Sequence, residues 1–181
     1  GYSLVRRIVE HAGIDYRSPA PFDSNHPNRT FIRWTEGEPT MGEVVLNPTR
    51  IYCDPVVDLL SEARNGSSFS ISDIHGICHV TGGGLSNLLR LHDTLGWSID
   101  APLPVLPEFK WLQEAGGVET REMYRTFNMG MGMVIAVDKA HAQSITEWIS
   151  HRLPGTAIVG SVTNDGHVVT HAIEGVEFSH Y

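Results

Sequence analysis

The sequence predicts an α+β fold, a three-layer α/β/α arrangement with one mixed sheet between helices. Three observations carry this. Amphipathic helical stretches alternate with short apolar runs along the chain. The run "MGMVIAV" (131–137) has the unbroken apolar character of a strand buried in a sheet. Two β-branched runs, "TAIVGSVT" and "HVVTHAI", flank Asn-Asp-Gly, and Asp-Gly accepts the positive φ of a tight hairpin. A hairpin at 156–173 supplies antiparallel pairing.

The 181 residues suit one domain, 1–181, with no internal repeat. A chain that is 41% hydrophobic and 19% charged can bury a core. No apolar run approaches the ~20 residues of a membrane helix, and the opening lacks a signal-peptide core. A net charge of −8 argues against a nucleic-acid surface. It leaves room for an anionic small molecule, which a few local donors can hold. Cys53 and Cys78 are read as reduced thiols of a cytoplasmic protein.

In chain order, Leu4, Val5, Ile8, Val9 and Ala12 recur at helical spacing, with Ser3 as a cap and Gly13 as the stop. Residues 17–47 form an irregular excursion with short strands at "FIRW" (31–34) and "EVVL" (43–46). "RIYC" suits a strand or the entry to a helix that Asp54 caps and Pro55 begins. Val56, Val57, Leu60 and Ala63 make its buried face, Gly66 closes it, and "SSFS" is a polar loop. Residues 74–81 read as a strand entering three glycines. A helix with Leu85, Leu88, Leu89 and Leu95 follows, stopped by Gly96. "APLPVLP" (101–107) is an extended linker into a helix that ends at Gly116-Gly117. Asp138 caps the next helix, which carries Ala142, Ile145, Trp148 and Ile149.

Chemistry concentrates in "HGICHVTGGGLSN" (75–87). On a helix His75, Cys78 and His79 would share a side and suit a metal. On a strand side chains alternate. His75, His79 and Thr81 then point one way and Cys78 the other, so no metal site is expected. The histidines remain either ordinary hydrogen-bonded residues or donors to a bound anion. Gly82, Gly83 and Gly84 are either a tight turn or an anion cradle, since glycine lets a ligand approach backbone N–H groups. The stretch is neither a P-loop nor a dinucleotide fingerprint. In "EMYRTFNMGMGMV" (122–134), Arg125 and Asn128 sit beside the buried strand. Gly130 and Gly132 put a glycine face on that strand, open to close approach.

These motifs together resemble the C-terminal domain of the aminoimidazole ribonucleotide synthetase (phosphoribosylformylglycinamidine cyclo-ligase) family. "GYSLVRRIVE", "PTRIY" (48–52), "HGICHVTGGG", "FKWLQEAGGV" (109–118) and "EMYRTFNMGMGMV" match its blocks in order, across about residues 1–163. The last block is the most specific. Three features depart: Leu85-Ser86-Asn87 is a shorter turn, Met131 replaces an Ile, and the excursion at 17–47 is longer.

The resemblance implies an enzyme that uses ATP and Mg²⁺ to close an imidazole ring in formylglycinamidine ribonucleotide. ATP and Mg²⁺ lie mainly on an N-terminal ATP-binding domain, the substrate lies between the domains, and the whole enzyme is a homodimer. This chain is then a piece of that polypeptide, expected to be inactive alone. His75 and His79 are the catalytic candidates. Thr81, Gly82, Gly83, Gly84, Asn87, Arg125 and Asn128 are candidates for substrate and phosphate contacts. Gly1, Tyr2 and Ser3 border the cleft. The rival readings are another ATP-dependent member of the superfamily and a non-catalytic module of the same fold.

Overall fold

The computed structural model describes residues 1–25, 34–66 and 68–181. Helix α1 spans Tyr2–His11 and buries Val5, Ile8 and Val9, as their spacing requires. Gly1, not Ser3, is its N-cap, without a side-chain bond.

Residues 43–46 form no strand: Met41–Val45 is a short helix, α2. Thr40 and Glu43 build a reciprocal capping box that overrides the β-branched valines. The other expected strand, 31–34, has residues 31–33 outside the described ones.

Helix α3 spans Cys53–Asn65, capped by Tyr52 rather than Asp54, and Gly66 ends it at φ 68°. "RIYC" enters this helix and forms no strand. The inward positions are Leu59 and Ala63, while Val57 is exposed. "SSFS" is not wholly polar either: Phe69 is buried edge-on against Trp148.

Strand β1, Ile74–His79, pairs antiparallel with β3, Met133–Val137, setting Cys78 opposite Val134 and His79 opposite Met133. Between them lie a 3₁₀ helix at Gly84–Leu91, strand β2 at Gly96–Ile99, helix α4 at Pro107–Gly116 and helix α5 at Thr120–Thr126. Gly96 therefore opens a strand instead of stopping a helix. Helix α6, Ala142–Ser150, starts after His141, and Asp138 instead accepts the Ala140 N–H in the preceding turn.

Strands β4 (Ser161–Thr163), β5 (Val169–His171) and β6 (Glu177–Phe178) complete the chain. The expected hairpin between β4 and β5 is absent because β2 lies between them. β2 pairs antiparallel with β4 and parallel with β5, in the order β4-β2-β5-β6. Gly96 makes this insertion possible: a Cβ there would stand 2.6 Å from Thr163 Oγ1 and 2.8 Å from the Gly166 carbonyl oxygen. The fold is α+β with a mixed sheet, and the strands among the described residues form two sheets where one was expected.

The β1–β3 ribbon lies between two apolar clusters. Cys78, Val80 and Ala136 join the larger one, with Leu85, Leu88, Leu112 and Met123. Ile74, Ile135 and Val137 pack on the smaller one, built from α3 and α6. Leu85 and Leu88 are fully buried, each worth roughly 1.5–3 kcal/mol of burial. They fasten the 3₁₀ helix, and so the glycine turn before it, to the core.

Candidate functional site

Strand alternation organises the site. Cys78 and Val80 are turned into the core, whereas His75, His79 and Thr81 are exposed. Cys78 thus lies on the opposite side from His79, whereas His75 falls in a bulge of β1, between Ile74 and Gly76, where strict alternation is broken. Among the described residues, no three His, Cys, Asp or Glu side chains gather as metal ligands would. His75 stands near Asp73. The Ser70 N–H is the main cause holding that carboxyl below its ordinary value, with smaller contributions from the Ser70 hydroxyl, His141 and His75. His79 packs its ring edge-on against Tyr52, with centroids 5.5 Å apart.

The three glycines serve different ends. Gly84 is buried, at φ 53°, and a Cβ on it would overlap the Tyr124 carbonyl oxygen, so it seats α5 against the turn. Gly83, at φ 102°, takes the left-handed conformation that caps the 3₁₀ helix. Gly82 has neither constraint: its φ is not positive, and a Cβ there would meet nothing within 4 Å.

Among the described residues nothing accepts a hydrogen bond from the Gly82 or Gly83 N–H, whereas the Gly84 N–H bonds the Thr81 carbonyl. Asn87 braces the turn from beneath. It is fully buried, and its Nδ2 donates to the carbonyls of Gly82 (3.2 Å) and Gly84 (2.7 Å). Its Oδ1 accepts from the Arg90 guanidinium and, at 3.5 Å, from the Thr81 hydroxyl. The structure thus places Asn87 inside the turn.

A pocket of about 610 Å³ opens over the turn and brings together Gly1, Gly82, Gly83 and Arg125. Ser86, the α5 residues Glu122 and Thr126, and His180 and Tyr181 complete its wall. Tyr181 lies against Gly83 and under the Arg90 guanidinium, 4.6 Å from its ring centroid. Asn128 lies elsewhere, in a groove of about 1810 Å³ that also takes in Arg50, Tyr52, Gly130 and Gly132. There its Oδ1 accepts the Gly130 N–H. Ser3 is exposed, and Tyr2 donates its hydroxyl to the Val45 carbonyl, tying α1 to α2.

Sequence reasoning missed Tyr52, Glu122, Thr126, His180 and Tyr181. Tyr52 closes the "PTRIY" block and was within reach. Residues 180–181 carry no motif, and only the path of the chain after β6 brings them to the glycines.

The model of the AIR synthase related protein, C-terminal domain, matches residues 1–173. The chain belongs to this family. Among curated proteins, a phosphoribosylformylglycinamidine cyclo-ligase of Methanosarcina mazei is 37% identical over 166 residues, 92% of this chain and 41% of the relative. The protein of that name from Nitrosococcus oceani is 36% identical over 175 residues, 93% of this chain and 42% of its own length. That of Methanopyrus kandleri is 39% identical over 132 residues, 73% of this chain and 35% of its own length. The chain thus spans about two-fifths of the length of the relatives it matches most fully. In AIR synthase terms, the glycine turn, its pocket and the His79–Tyr52 pair all fall within the matched residues, apart from His180 and Tyr181.

Proposed function

We propose that this chain is the C-terminal part of a phosphoribosylformylglycinamidine cyclo-ligase, acting in purine biosynthesis. The whole enzyme would close the imidazole ring of aminoimidazole ribonucleotide from formylglycinamidine ribonucleotide at the expense of ATP. The observation that carries this reading is the Gly82–Gly83 turn. Gly82 and Gly83, whose N–H groups have no acceptor among the described residues, line a pocket that Arg125 also lines, in a chain 37% identical to an enzyme of that name. Backbone donors and a guanidinium suit a phosphate or phosphoryl oxygen. Single-domain organisation over 1–181, the three-layer arrangement and a cytoplasmic home belong to the same reading.

In the ring closure, the γ-phosphoryl group of ATP goes to the formyl amide oxygen, giving ADP. The amidine-derived nitrogen then forms a C–N bond to that carbon. The C–O bond breaks, phosphate carries the oxygen away and the nitrogen loses a proton. This chain's part is to bind and orient. Thr81, Gly82, Gly83 and Arg125 hold phosphate oxygens, while Gly84 and Asn87 keep the turn in shape. His75, His79 and Thr81 are each exposed, and His79 stabilises charge on the amide oxygen. Asn128 contacts the substrate from the neighbouring groove, and Gly1, Tyr2 and Ser3 border the cleft.

No carboxylate cluster among the described residues fits Mg²⁺. The proposal therefore gives Mg²⁺ and most of the ATP contacts to an N-terminal ATP-binding domain of the same polypeptide, which also forms the homodimer.

The test is turnover of formylglycinamidine ribonucleotide by the complete polypeptide. ATP-dependent formation of aminoimidazole ribonucleotide is expected, with His79→Ala lowering kcat about 100-fold or more. Absence of product from the wild type would overturn the function, and wild-type kcat in His79→Ala would remove His79 from the chemistry. The 181-residue chain alone is expected to form no product.

A further inference from the structure

The His79 imidazole makes no hydrogen bond or ion pair among the described residues, so the plane of its ring rests on packing. Tyr52 is placed to do this. Its backbone is fixed as the N-cap of α3, where its carbonyl accepts the Val56 N–H at 3.1 Å. From there the phenol ring reaches across the end of the β1–β3 ribbon and meets the imidazole at 65° between planes.

The ring fits because residue 132 is glycine. A Cβ there would overlap the phenol oxygen and stand 3.0 Å from Cζ and 3.3 Å from Cε2. Gly132 has no positive φ to explain it, and its carbonyl is engaged by the Val80 N–H at 2.9 Å. The missing side chain thus serves Tyr52. Burial pushes the phenol pKa up, against the opposing Arg50 charge, so the ring stays neutral beside the imidazole.

We infer that Tyr52 is a positioning residue for His79: its ring, admitted by the missing Cβ of Gly132, fixes the orientation of the imidazole on the substrate side of the ribbon. The catalytic consequence rests on the proposed role of His79, while the positioning does not. Such a residue acts through geometry, and a displacement of about 1 Å costs up to 100-fold in rate. Because the ring edge carries the contact, Phe can replace Tyr.

Two readouts separate the claims. Nuclear magnetic resonance of the histidine-labelled chain should show a contact between Tyr52 ring protons and His79 Hε1 in the wild type. The His79 resonance should shift in Tyr52→Leu and in Gly132→Ala, and return in Tyr52→Phe. Turnover of the complete polypeptide should fall about 10-fold in kcat, with KM changed much less, in Tyr52→Leu and Gly132→Ala. The double variant should be no worse than the poorer single one, because both remove one contact. Absence of the wild-type contact, which needs no variant to fold, overturns the inference, as does an unmoved His79 resonance in both variants. A shifted resonance with unchanged kcat upholds the positioning and refutes the catalytic reading of His79.

Discussion

Gly84 and Tyr124 meet backbone to backbone: a Cβ on Gly84 would overlap the Tyr124 carbonyl oxygen and stand 2.8 Å from that of Phe127. The same glycine sits at φ 53° in the core. The last glycine of the turn is thus a packing residue, which fixes α5 and so Arg125 over the pocket floor. Gly82, two residues earlier, is the one that leaves open space.

Gly84→Ala and Gly82→Ala should therefore separate cleanly. Gly84→Ala combines a strained φ with a clash against carbonyls that cannot swing away, and should cost more than about 2 kcal/mol in urea unfolding. Gly82→Ala should cost no more than about 0.5 kcal/mol, like other unconstrained surface changes. Under the proposed function its methyl group would crowd a phosphate approaching the N–H groups, so the complete polypeptide's affinity for formylglycinamidine ribonucleotide should fall about tenfold, or ~1.4 kcal/mol. Unchanged affinity in a folded Gly82→Ala would separate the turn from phosphate binding.

Glu43 anchors the excursion before α3. Its buried carboxylate accepts the backbone N–H groups of Thr40 (2.8 Å), Trp34 (2.6 Å) and Thr35 (2.9 Å), and two threonine hydroxyls. The Thr40 N–H, then that of Trp34, hold its pKa far below the ordinary 4.5, against the upward push of burial. A folded-state pKa below the unfolded one gives stability that is present above about pH 4.5 and lost as pH falls through the folded value. Glu43→Gln should thus lower the thermal midpoint at pH 7. The gap between variant and wild type should shrink steadily below pH 4.5. A gap independent of pH would mean that shape rather than charge makes the clamp.

Much of the local structure was legible. Spacing located α1, α4 and the two ribbon strands, and alternation along "HGICHVTGGG" sorted Cys78 from His79, but the bulge at His75, which turns Ile74 away from the Cys78 side, was not legible. Thr40 and Glu43 spell a readable capping box, yet the valines at 44 and 45 drew a strand reading. What failed was pairing. Asp165-Gly166 does turn, with Gly166 at φ 98°. But β2, some 65 residues upstream, takes the place between the two flanking strands, and no local pattern specifies a partner that distant. Helix α5 was overlooked because its seven residues are too short to show a helical period. The site suffered likewise: Arg125 and Gly82 were singled out separately, and only α5, seated on Gly84, brings them together.

Asn87 was expected to touch substrate, and its setting predicts a different failure. Both Nδ2 protons go to carbonyls of the glycine turn, while Oδ1 receives Arg90. Asn87→Ala would leave the buried Gly84 carbonyl without that donor and release the guanidinium that lies over Tyr181. The expected cost is about 2–3 kcal/mol in urea unfolding. Asn87→Asp keeps the oxygen that Arg90 contacts but turns the second donor into an acceptor facing two carbonyls, so it should not restore stability. Under the proposed function, Asn87→Ala should weaken phosphate binding only through the altered turn, with a parallel loss of amide protection at Gly84, whose N–H bonds the Thr81 carbonyl, in hydrogen exchange. Weakened binding with full stability and unchanged exchange would instead make Asn87 a direct contact, with its side chain leaving the turn when substrate arrives.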